Sequence, residues 1–376
     1  MRARKGKLFI TILFSSVLSV FIFSCKDGIT QPQPSILTKD TIEKLQAAAD
    51  KIMMGISAPG MMALISVEGE GDLYITRGVS NLATNEPMNI NNNFRIGSIT
   101  KTFTTEAVLI LSDEGKIDLN KSIAFYLPEL KIPSGEKITI RMLGNMTSGL
   151  FDYSTDINLW TPFVNSNGEK IYTPEELLTF SFSHELLFEP GTAYNYSNTN
   201  TVLLGLLIKK VTGKEVNDVF VEKILQPLGM KYTLWPYTRY LPYPYNHGYS
   251  SSLTGTSIET TNLNTSFADA AGILISNFSD LKIWTKEMYE RNLLSSKMKS
   301  ERFAWVDDIP GIKYSGFGVE KYFDWIGKSG SVFGYNSEAW YYPAKKITII
   351  INTNSDDGLP ADNVLNSFLI ILAPYK

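Results

Sequence analysis

The sequence predicts an α+β fold, more specifically an α/β sandwich, in which one antiparallel sheet is assembled from both ends of the chain. Strand-like apolar runs lie near the start, at 61–67 and 73–79, and near the end, at 338–342 and 347–352. Helical patterns fill the long middle of the chain and also lie outside the strands at each end. This order favours a sheet flanked by the two terminal helices, with a mostly helical inserted domain.

The N-terminal elements have recognisable boundaries. A helix is predicted over 38–54, with Thr38 or Asp40 as its N-cap and apolar residues at steps of three and four. The two strands that follow are joined by Glu68–Asp72, which contains two glycines and indicates a hairpin. From Ser98 onwards the apolar residues again recur at helical spacing, which predicts a further helix.

The rest of the chain alternates helical, irregular and strand-like segments. The run 202–208 is apolar on all sides, which predicts a buried helix. Residues 231–266 are rich in Tyr, Pro, Ser and Thr, which predicts a long loop region. Two strands are predicted at 314–320 and 322–328, and a final helix at 360–372.

The N-terminus has the features of an export signal. A basic start is followed by an apolar run over 8–23 and then by Cys25, the single cysteine of the chain. Ile22-Phe23-Ser24-Cys25 resembles a bacterial lipobox, in which the cysteine becomes lipidated. We therefore predict a lipoprotein signal peptide over 1–24 and a lipid anchor with a tether over 25–38. The alternative is a plain signal peptide with a chance cysteine.

This N-terminus predicts a location. The protein is expected to be exported and to be anchored by its lipid to a membrane of the bacterial cell envelope, on the periplasmic or surface side. The membrane is then a partner through the anchor alone, and we expect a monomer.

Composition argues against several classes of function. The 376-residue chain has a formal net charge of −3 and no basic cluster beyond the N-terminus, so nucleic acid is not an expected partner. A single cysteine excludes an intramolecular disulfide and a cysteine nucleophile in the body of the protein. The two histidines, His184 and His247, lie in no zinc-binding motif and no G-x-S-x-G element is present. Neither a metal site nor a Ser-His-Asp triad is therefore expected.

Ser98-Ile99-Thr100-Lys101 is the first motif that can carry chemistry. Side chains at positions i and i+3 of a helix share one face, so the Lys101 amine can reach the Ser98 hydroxyl. A serine becomes a good nucleophile when a base takes its proton, and a lysine is such a base once burial or a nearby cation lowers its pKa. Taken alone, the pair also fits a capping serine and a surface lysine.

Two further motifs follow in the chain. Tyr196-Ser197-Asn198 can supply a proton relay and an amide that orients a substrate, although alone it also fits a turn before a helix. Lys328-Ser329-Gly330 ends a strand-like run. Its lysine can attract an anionic substrate and lower the pKa of Lys101, and its glycine lets a substrate approach the strand closely.

Together, these S-x-x-K, Y-S-N and K-S-G motifs resemble those of active-site serine penicillin-recognising enzymes. Because a tyrosine leads the second motif, the sequence resembles in particular the branch of class C β-lactamases and D-alanyl-D-alanine carboxypeptidases. The resemblance includes neighbouring segments such as 94–101 and 146–150, and it covers the chain from about Asp40 onwards.

The resemblance implies a fold and an activity. A β-lactamase/transpeptidase-like hydrolase domain would occupy 39–376, with its sheet part at about 39–95 and 268–376 and its helical part at about 96–267. The implied enzyme is a serine hydrolase that works through an acyl-enzyme and needs no cofactor or metal.

The resemblance also implies roles for individual residues. Ser98 would be acylated, and Lys101 and Tyr196 would share the general acid and base work. The backbone N–H groups of Ser98 and Ser331 would form the oxyanion hole. The implied substrate-binding residues are Asn198, Lys328, Ser329, Gly330 and Asn336.

The substrate stays open because one fold hosts many activities. Lys328 favours substrates with a carboxylate, so β-lactams and D-alanyl peptide amide bonds of the cell envelope are expected first. The alternatives on the same scaffold are a carboxylesterase, a D-amino-acid peptidase and a slow penicillin-binding receptor.

Overall fold

The structure, a computed structural model, describes residues 35–290, 292–310 and 313–372. The predicted signal peptide and the lipidation site Cys25 lie outside the described residues. Within them, no helix is long and apolar enough to cross a membrane. The strands are β1 (Gly60–Val67), β2 (Gly71–Asn81), β3 (Glu86–Pro87), β4 (Phe94–Arg95), β5 (Tyr249–Ser250), β6 (Ile258–Glu259), β7 (Ile275–Ser276), β8 (Val306–Ile309), β9 (Lys313–Ser315), β10 (Glu320–Tyr322), β11 (Trp325–Val332), β12 (Tyr335–Tyr342) and β13 (Ile347–Thr353). The helices are α1 (Lys39–Met53), α2 (Thr100–Asp113), α3 (Ile123–Tyr126), α4 (Ile140–Gly144), α5 (Ile157–Asn165), α6 (Pro174–Phe182), α7 (Asn198–Thr212), α8 (Val216–Phe220), α9 (Gln226–Leu228), α10 (Asp269–Gly272), α11 (Phe278–Glu290), α12 (Ser296–Arg302) and α13 (Pro360–Leu372).

One antiparallel sheet joins the two ends of the domain. Its strand order is β3-β2-β1-β13-β12-β11-β10-β9-β8. β1 pairs with β13, so that Met61 lies opposite Thr353 and Val67 opposite Ile347. The segment between β3 and β8 is mostly helical. The predicted α+β fold, with a sheet built from both chain ends and a helical insertion, is confirmed.

Two hydrophobic cores cover the two faces of the sheet. On one face, α1 and α13 pack over residues such as Ile65, Trp340 and Ile349. On the other face, α2 and the helical insertion pack over Leu64 and Ile350. Because neighbouring residues of a strand point to opposite faces and both faces are covered, β13 is buried at every position and carries isoleucines on both faces.

The predicted N-terminal elements are confirmed. α1 begins directly after Thr38, whose hydroxyl accepts a hydrogen bond from the Thr41 N–H at 3.1 Å. Thr38 rather than Asp40 is therefore the N-cap. The predicted hairpin joins β1 and β2, and the predicted buried helix at 202–208 is the centre of α7.

The single strand predicted at 314–320 is wrong. The segment forms β9 and β10, joined by a turn in which the Gly316 N–H donates to the Val319 carbonyl at 2.8 Å. Gly318 in this turn has a φ of +77°. A glycine adopts this left-handed conformation at little cost, and it reverses a chain whose residues otherwise suit a strand.

Two other boundaries differ from the prediction. The strand predicted at 322–328 begins at Trp325, because Phe323 adopts a φ of +51° in the tight connection between β10 and β11. The loop region predicted at 231–266 also contains β5 and β6, which pair with each other.

β11 lies directly against the 3₁₀ turn Gly97–Ile99 that precedes α2. A Cβ atom on Gly330 would lie 2.1 Å from the backbone before this turn, and a Cβ on Gly97 would lie 2.7 Å from the backbone of Ser331. Glycine at both positions therefore permits the close approach. The contact holds Ser98 against the end of β11.

A buried ion pair ties α2 to α12. The Arg302 guanidinium donates to the carboxylate of Glu106, and both side chains are fully buried. α2 itself is buried from Thr100 to Leu111. The helix that begins beside Ser98 is thus fixed on all sides.

We predict that Arg302→Met lowers the free energy of unfolding by about 3–5 kcal/mol, because it leaves the Glu106 carboxylate buried without this counter-charge. Urea denaturation followed by circular dichroism measures the change. The matched control is Arg77→Met, which removes a guanidinium that pairs with Asp50 at the surface and should change stability little. Equal stability of the two variants would contradict this role of the buried pair.

Candidate active site

Three predicted residues meet at the Ser98 hydroxyl. Ser98 lies in the 3₁₀ turn before α2, and Lys101 lies in the first turn of that helix. The Lys101 side-chain nitrogen is 3.0 Å from Ser98 Oγ, and the Tyr196 hydroxyl is 2.8 Å from the same atom. Lys101 reaches Ser98 through the i, i+3 spacing, and Tyr196 reaches it from a distant part of the chain. A base and a proton donor therefore lie within hydrogen-bonding distance of one oxygen.

Lys101 is completely buried. Its Nζ also donates to Asn198 Oδ1 at 2.6 Å and to the Ala271 carbonyl at 2.8 Å. Burial, reinforced by the positive charge of Lys328, lowers the pKa of Lys101 well below its ordinary value. A neutral amine has two N–H donors, which these two oxygens accept, so its lone pair is left to take the proton of Ser98 Oγ.

Asn198 presents its oxygen to Lys101 because its nitrogen is held elsewhere. Asn198 is the first residue of α7, and its Nδ2 donates to Asp152 Oδ2 and to Ser154 Oγ, each at 3.0 Å. A carboxylate only accepts hydrogen bonds, so Asp152 fixes which end of the amide faces Lys101.

Tyr196 is suited to donate a proton. Burial raises the pKa of Tyr196 well above its ordinary value, so its hydroxyl stays protonated over the physiological range. Lys328 Nζ lies 5.2 Å from the centre of the tyrosine ring and Lys101 Nζ lies 4.9 Å from it. The side-chain nitrogens of both lysines thus lie close to the tyrosine ring.

Lys328 has a counter-charge that the sequence did not reveal. Its Nζ donates to Glu320 Oε1 at 2.5 Å, and Lys313 lies 3.4 Å from the other oxygen of Glu320. Burial alone would raise the pKa of Glu320, but the charges of Lys328 and Lys313 hold it below its ordinary value. The positive field expected from Lys328 is therefore partly neutralised within the protein.

Ser98 opens into a cavity of about 550 Å³, here called the polar cavity. Its wall also carries Asp308, Lys313, Glu320 and Asp362. A larger cavity of about 860 Å³ lies beside the β1–β2 hairpin and contains none of the predicted site residues. The predicted residues that line the polar cavity are Ser98, Tyr196, Lys328, Ser329, Gly330, Ser331 and Asn336.

The two backbone N–H groups predicted to form the oxyanion hole, those of Ser98 and Ser331, lie at the same backbone contact. The position of a Cβ on Gly330 is 3.0 Å from the Ser98 nitrogen, and that of a Cβ on Gly97 is 2.7 Å from the Ser331 nitrogen. Both nitrogens therefore lie where β11 meets the turn before α2. Their role in binding an oxyanion stays a prediction.

Asn336 already uses both ends of its amide. Its Nδ2 donates to the Gly330 carbonyl at 3.3 Å, and its Oδ1 accepts from the Ala361 N–H at 2.7 Å. It therefore joins β11 to the start of α13. Nδ2 carries a second N–H, so the predicted contact with a substrate carboxylate is compatible with both bonds and stays a prediction.

Sequence reasoning missed the carboxylates of this site. Asp152 orients Asn198, Glu320 pairs with Lys328, and Asp362 lines the polar cavity. One signal was available for Glu320: a lysine in a buried strand requires an acidic partner. No local pattern identifies the other two.

Both histidines contact neighbouring side chains. His184 stacks on Phe151 with ring centres 3.8 Å apart and hydrogen-bonds Asp156 at 3.0 Å. His247 contacts Glu259 at 2.8 Å. Among the described residues, no group of His, Cys, Asp and Glu side chains is arranged to hold a metal ion.

The fold and these contacts define an active-site serine hydrolase with a β-lactamase/transpeptidase-like architecture. The Beta-lactamase family matches residues 42–373, and the chain belongs to this family. It is a class C-like homologue of serine β-lactamases and penicillin-binding proteins, which confirms the resemblance seen in the sequence.

Curated relatives share parts of the chain. It is 30% identical over 235 residues to the Beta-lactamase of Providencia stuartii, covering 61% of this chain and 52% of that protein. It is 25% identical over 319 residues to Penicillin-binding protein 4* of Bacillus subtilis, covering 78% and 68%. It is 29% identical over 207 residues to Protein flp of Staphylococcus aureus, covering 54% and 40%. The chain thus spans about half the length of two of these three relatives.

Solved structures with similar folds cover more of the chain. A D-stereospecific amidohydrolase from Streptomyces sp. superposes with a TM-score of 0.78 at 29% identity, covering 89% of this chain and 98% of that one. The D-amino acid amidase of Ochrobactrum anthropi, complexed with L-phenylalanine amide, superposes with a TM-score of 0.76 at 25% identity, covering 87% and 98%.

We predict that Lys328→Met shifts the acidic limb of the pH profile of kcat/KM to higher pH. Lys101 acts as a base only when neutral, so activity rises with pH through its pKa. The substitution removes the positive charge of Lys328, which lowers the pKa of Lys101, and it leaves the negative charge of Glu320, which raises that pKa, without the partner Lys328. The control, Lys210→Met, removes a surface lysine that pairs with Glu129 and should leave the limb in place. A limb at the same pH in all three proteins would show that Lys328 does not tune Lys101.

Proposed function

We propose that this protein hydrolyses amide bonds of D-aminoacyl substrates, among them the D-alanyl peptides of the cell envelope, through an acyl-enzyme on Ser98. One observation carries the proposal: Ser98 Oγ lies within hydrogen-bonding distance of a buried amine and of a protonated phenol. That arrangement can both activate a serine and protonate a poor leaving group such as an amine.

The chemistry follows from the protonation states. As Ser98 Oγ attacks the carbonyl carbon, its proton passes to the neutral Lys101 amine, and the oxyanion is bound by backbone N–H groups at Ser98 and Ser331. The Tyr196 hydroxyl gives its proton to the leaving nitrogen, and the C–N bond breaks. Lys101 then returns a proton to Tyr196, which resets both groups for attack by water on the ester.

The polar cavity supports an amide or peptide substrate. It carries both signs of charge, from Lys313 and Lys328 on one hand and Asp308, Glu320 and Asp362 on the other. Such a wall suits the polar leaving group of a peptide, whereas an uncharged ester has little use for it. Two structural neighbours that cover nearly the whole domain are named as acting on D-configured amides.

β-Lactam hydrolysis is the second candidate. Its support is the Providencia stuartii relative named Beta-lactamase, at 30% identity. A β-lactam would acylate the same Ser98, and the rate of deacylation separates a β-lactamase from a slow penicillin-binding receptor.

We predict that a fluorescent penicillin labels the purified protein covalently and that Ser98→Ala abolishes labelling. The same substitution should lower kcat on D-alanyl-D-alanine peptides and D-amino acid amides by at least about 10⁴-fold, because no other group replaces the nucleophile. Ser300→Ala, on the exposed side of α12, is the matched control and should behave as wild type. Rapid loss of the label favours the β-lactamase.

A folded protein that neither takes up the label nor hydrolyses any D-aminoacyl amide would overturn the proposal.

Labelling in cells also tests the proposed lipid anchor, which rests on the sequence alone. The labelled protein should fractionate with membranes and Cys25→Ala should release it from them; an unchanged distribution would remove the anchor.

A further inference from the structure

A second cavity of about 250 Å³ also reaches Ser98. It shares Ser98, Tyr196 and Ser331 with the polar cavity, so the serine lies at the junction of the two. Its wall differs in character, since it is formed largely by aromatic and small apolar side chains. We call it the aromatic cavity. The residues that give it this character are Tyr153, Trp160, Phe267, Ala268, Val332 and Phe333.

Three rings of this wall contact one another. Trp160 lies 5.2 Å from Phe267 and 5.4 Å from Phe333 between ring centres, and Phe267 lies 5.4 Å from Phe333. All three pairs meet edge to face, at interplanar angles from 62° to 75°. This is a favoured geometry for aromatic pairs, and Phe163 packs against all three from behind.

The rings are fixed from three separate parts of the chain. Trp160 belongs to α5, and its indole N–H donates to the Ser154 carbonyl at 2.9 Å. The backbone of Phe267 is held by the Tyr153 hydroxyl, which donates to its carbonyl at 2.6 Å. Phe333 lies in the turn between β11 and β12. The wall is thus preformed, as ligand pockets usually are.

Core packing alone would also bring aromatic rings together, but a closed core would leave no space at the reacting atom. Here Trp160 and Phe333 are only half-buried, and the space in front of them ends at Ser98. An apolar cavity of about 150 Å³ is large enough to bind benzene. The aromatic cavity is larger than that.

We propose that the aromatic cavity binds the side chain of the residue whose carbonyl Ser98 attacks, and that the enzyme prefers D-aminoacyl groups with aromatic or large apolar side chains. This inference rests on the proposed function and names its substrate class. The acyl group stays on Ser98 until water releases it, so it needs an enclosed subsite. The polar leaving group fits the larger, charged cavity and can depart from it.

The test measures kcat/KM of the full-length protein on the p-nitroanilides of D-phenylalanine, D-leucine and D-alanine. The expected ratio of D-phenylalanine to D-alanine is at least about 10, because each extra buried methylene in an apolar pocket adds roughly 10-fold or more. Phe333→Ala removes one ring of the wall and Ala268→Leu fills part of the cavity. Both should lower this ratio several-fold.

Phe125→Ala, an exposed phenylalanine of α3, is the matched control and should keep the wild-type ratio. Thermal unfolding shows whether each variant is folded. Phe333→Ala enlarges the cavity and Ala268→Leu fills it, so that if one variant does not fold, the other still tests the inference. A wild-type ratio near 1, or a ratio that neither folded variant changes, would overturn the inference.

Failure of the proposed function gives a different result. If no anilide is hydrolysed, the amide-hydrolase function is wrong. Rates of acylation then test whether the aromatic cavity binds the acyl side chain. The p-nitrophenyl esters of N-acetyl-D-phenylalanine and N-acetyl-D-alanine, whose leaving group needs no protonation, should then acylate Ser98 at rates that differ several-fold, with the difference reduced in Phe333→Ala. Equal rates would overturn the inference.

Discussion

The removal of one lysine from water is the constraint on which the active site depends. Lys101 can serve as a base at Ser98 because the interior makes its charged form costly. Two acceptors, Asn198 Oδ1 and the Ala271 carbonyl, hold its N–H groups and leave its lone pair towards the serine. These acceptors come from α7 and α10, so the site exists only when the helical insertion has packed around α2.

The same packing joins the insertion to the sheet. β11 can lie against the turn before α2 because Gly97 and Gly330 have no side chains there. This contact brings Lys328 towards Tyr196 and Lys101, and it opens a cavity on each side of Ser98. One cavity is charged and the other largely aromatic, a difference that would separate the two halves of the proposed substrate by their chemistry.

The sequence predicted the fold class and the residues that meet at Ser98, because motifs and strand-like apolar runs are local patterns whose order along the chain can be seen directly. It did not predict the strand break at Gly318, since a turn glycine inside an apolar run resembles an ordinary strand residue. It also missed Glu320 and the aromatic wall. Residues such as Trp160 and Phe333 lie far apart in the chain, and only tertiary packing brings them together.

The protonation state of Lys101 tests the proposed mechanism most directly. Lysines labelled with ¹³C at Cε report their charge through the carbon chemical shift, and the resonance of Lys101 is the one that disappears in Lys101→Arg. We expect this resonance to have the shift of a neutral amine at neutral pH and to titrate only on acidification. A resonance that stays in the charged position until pH values near 10.5, the ordinary pKa of lysine, would contradict it.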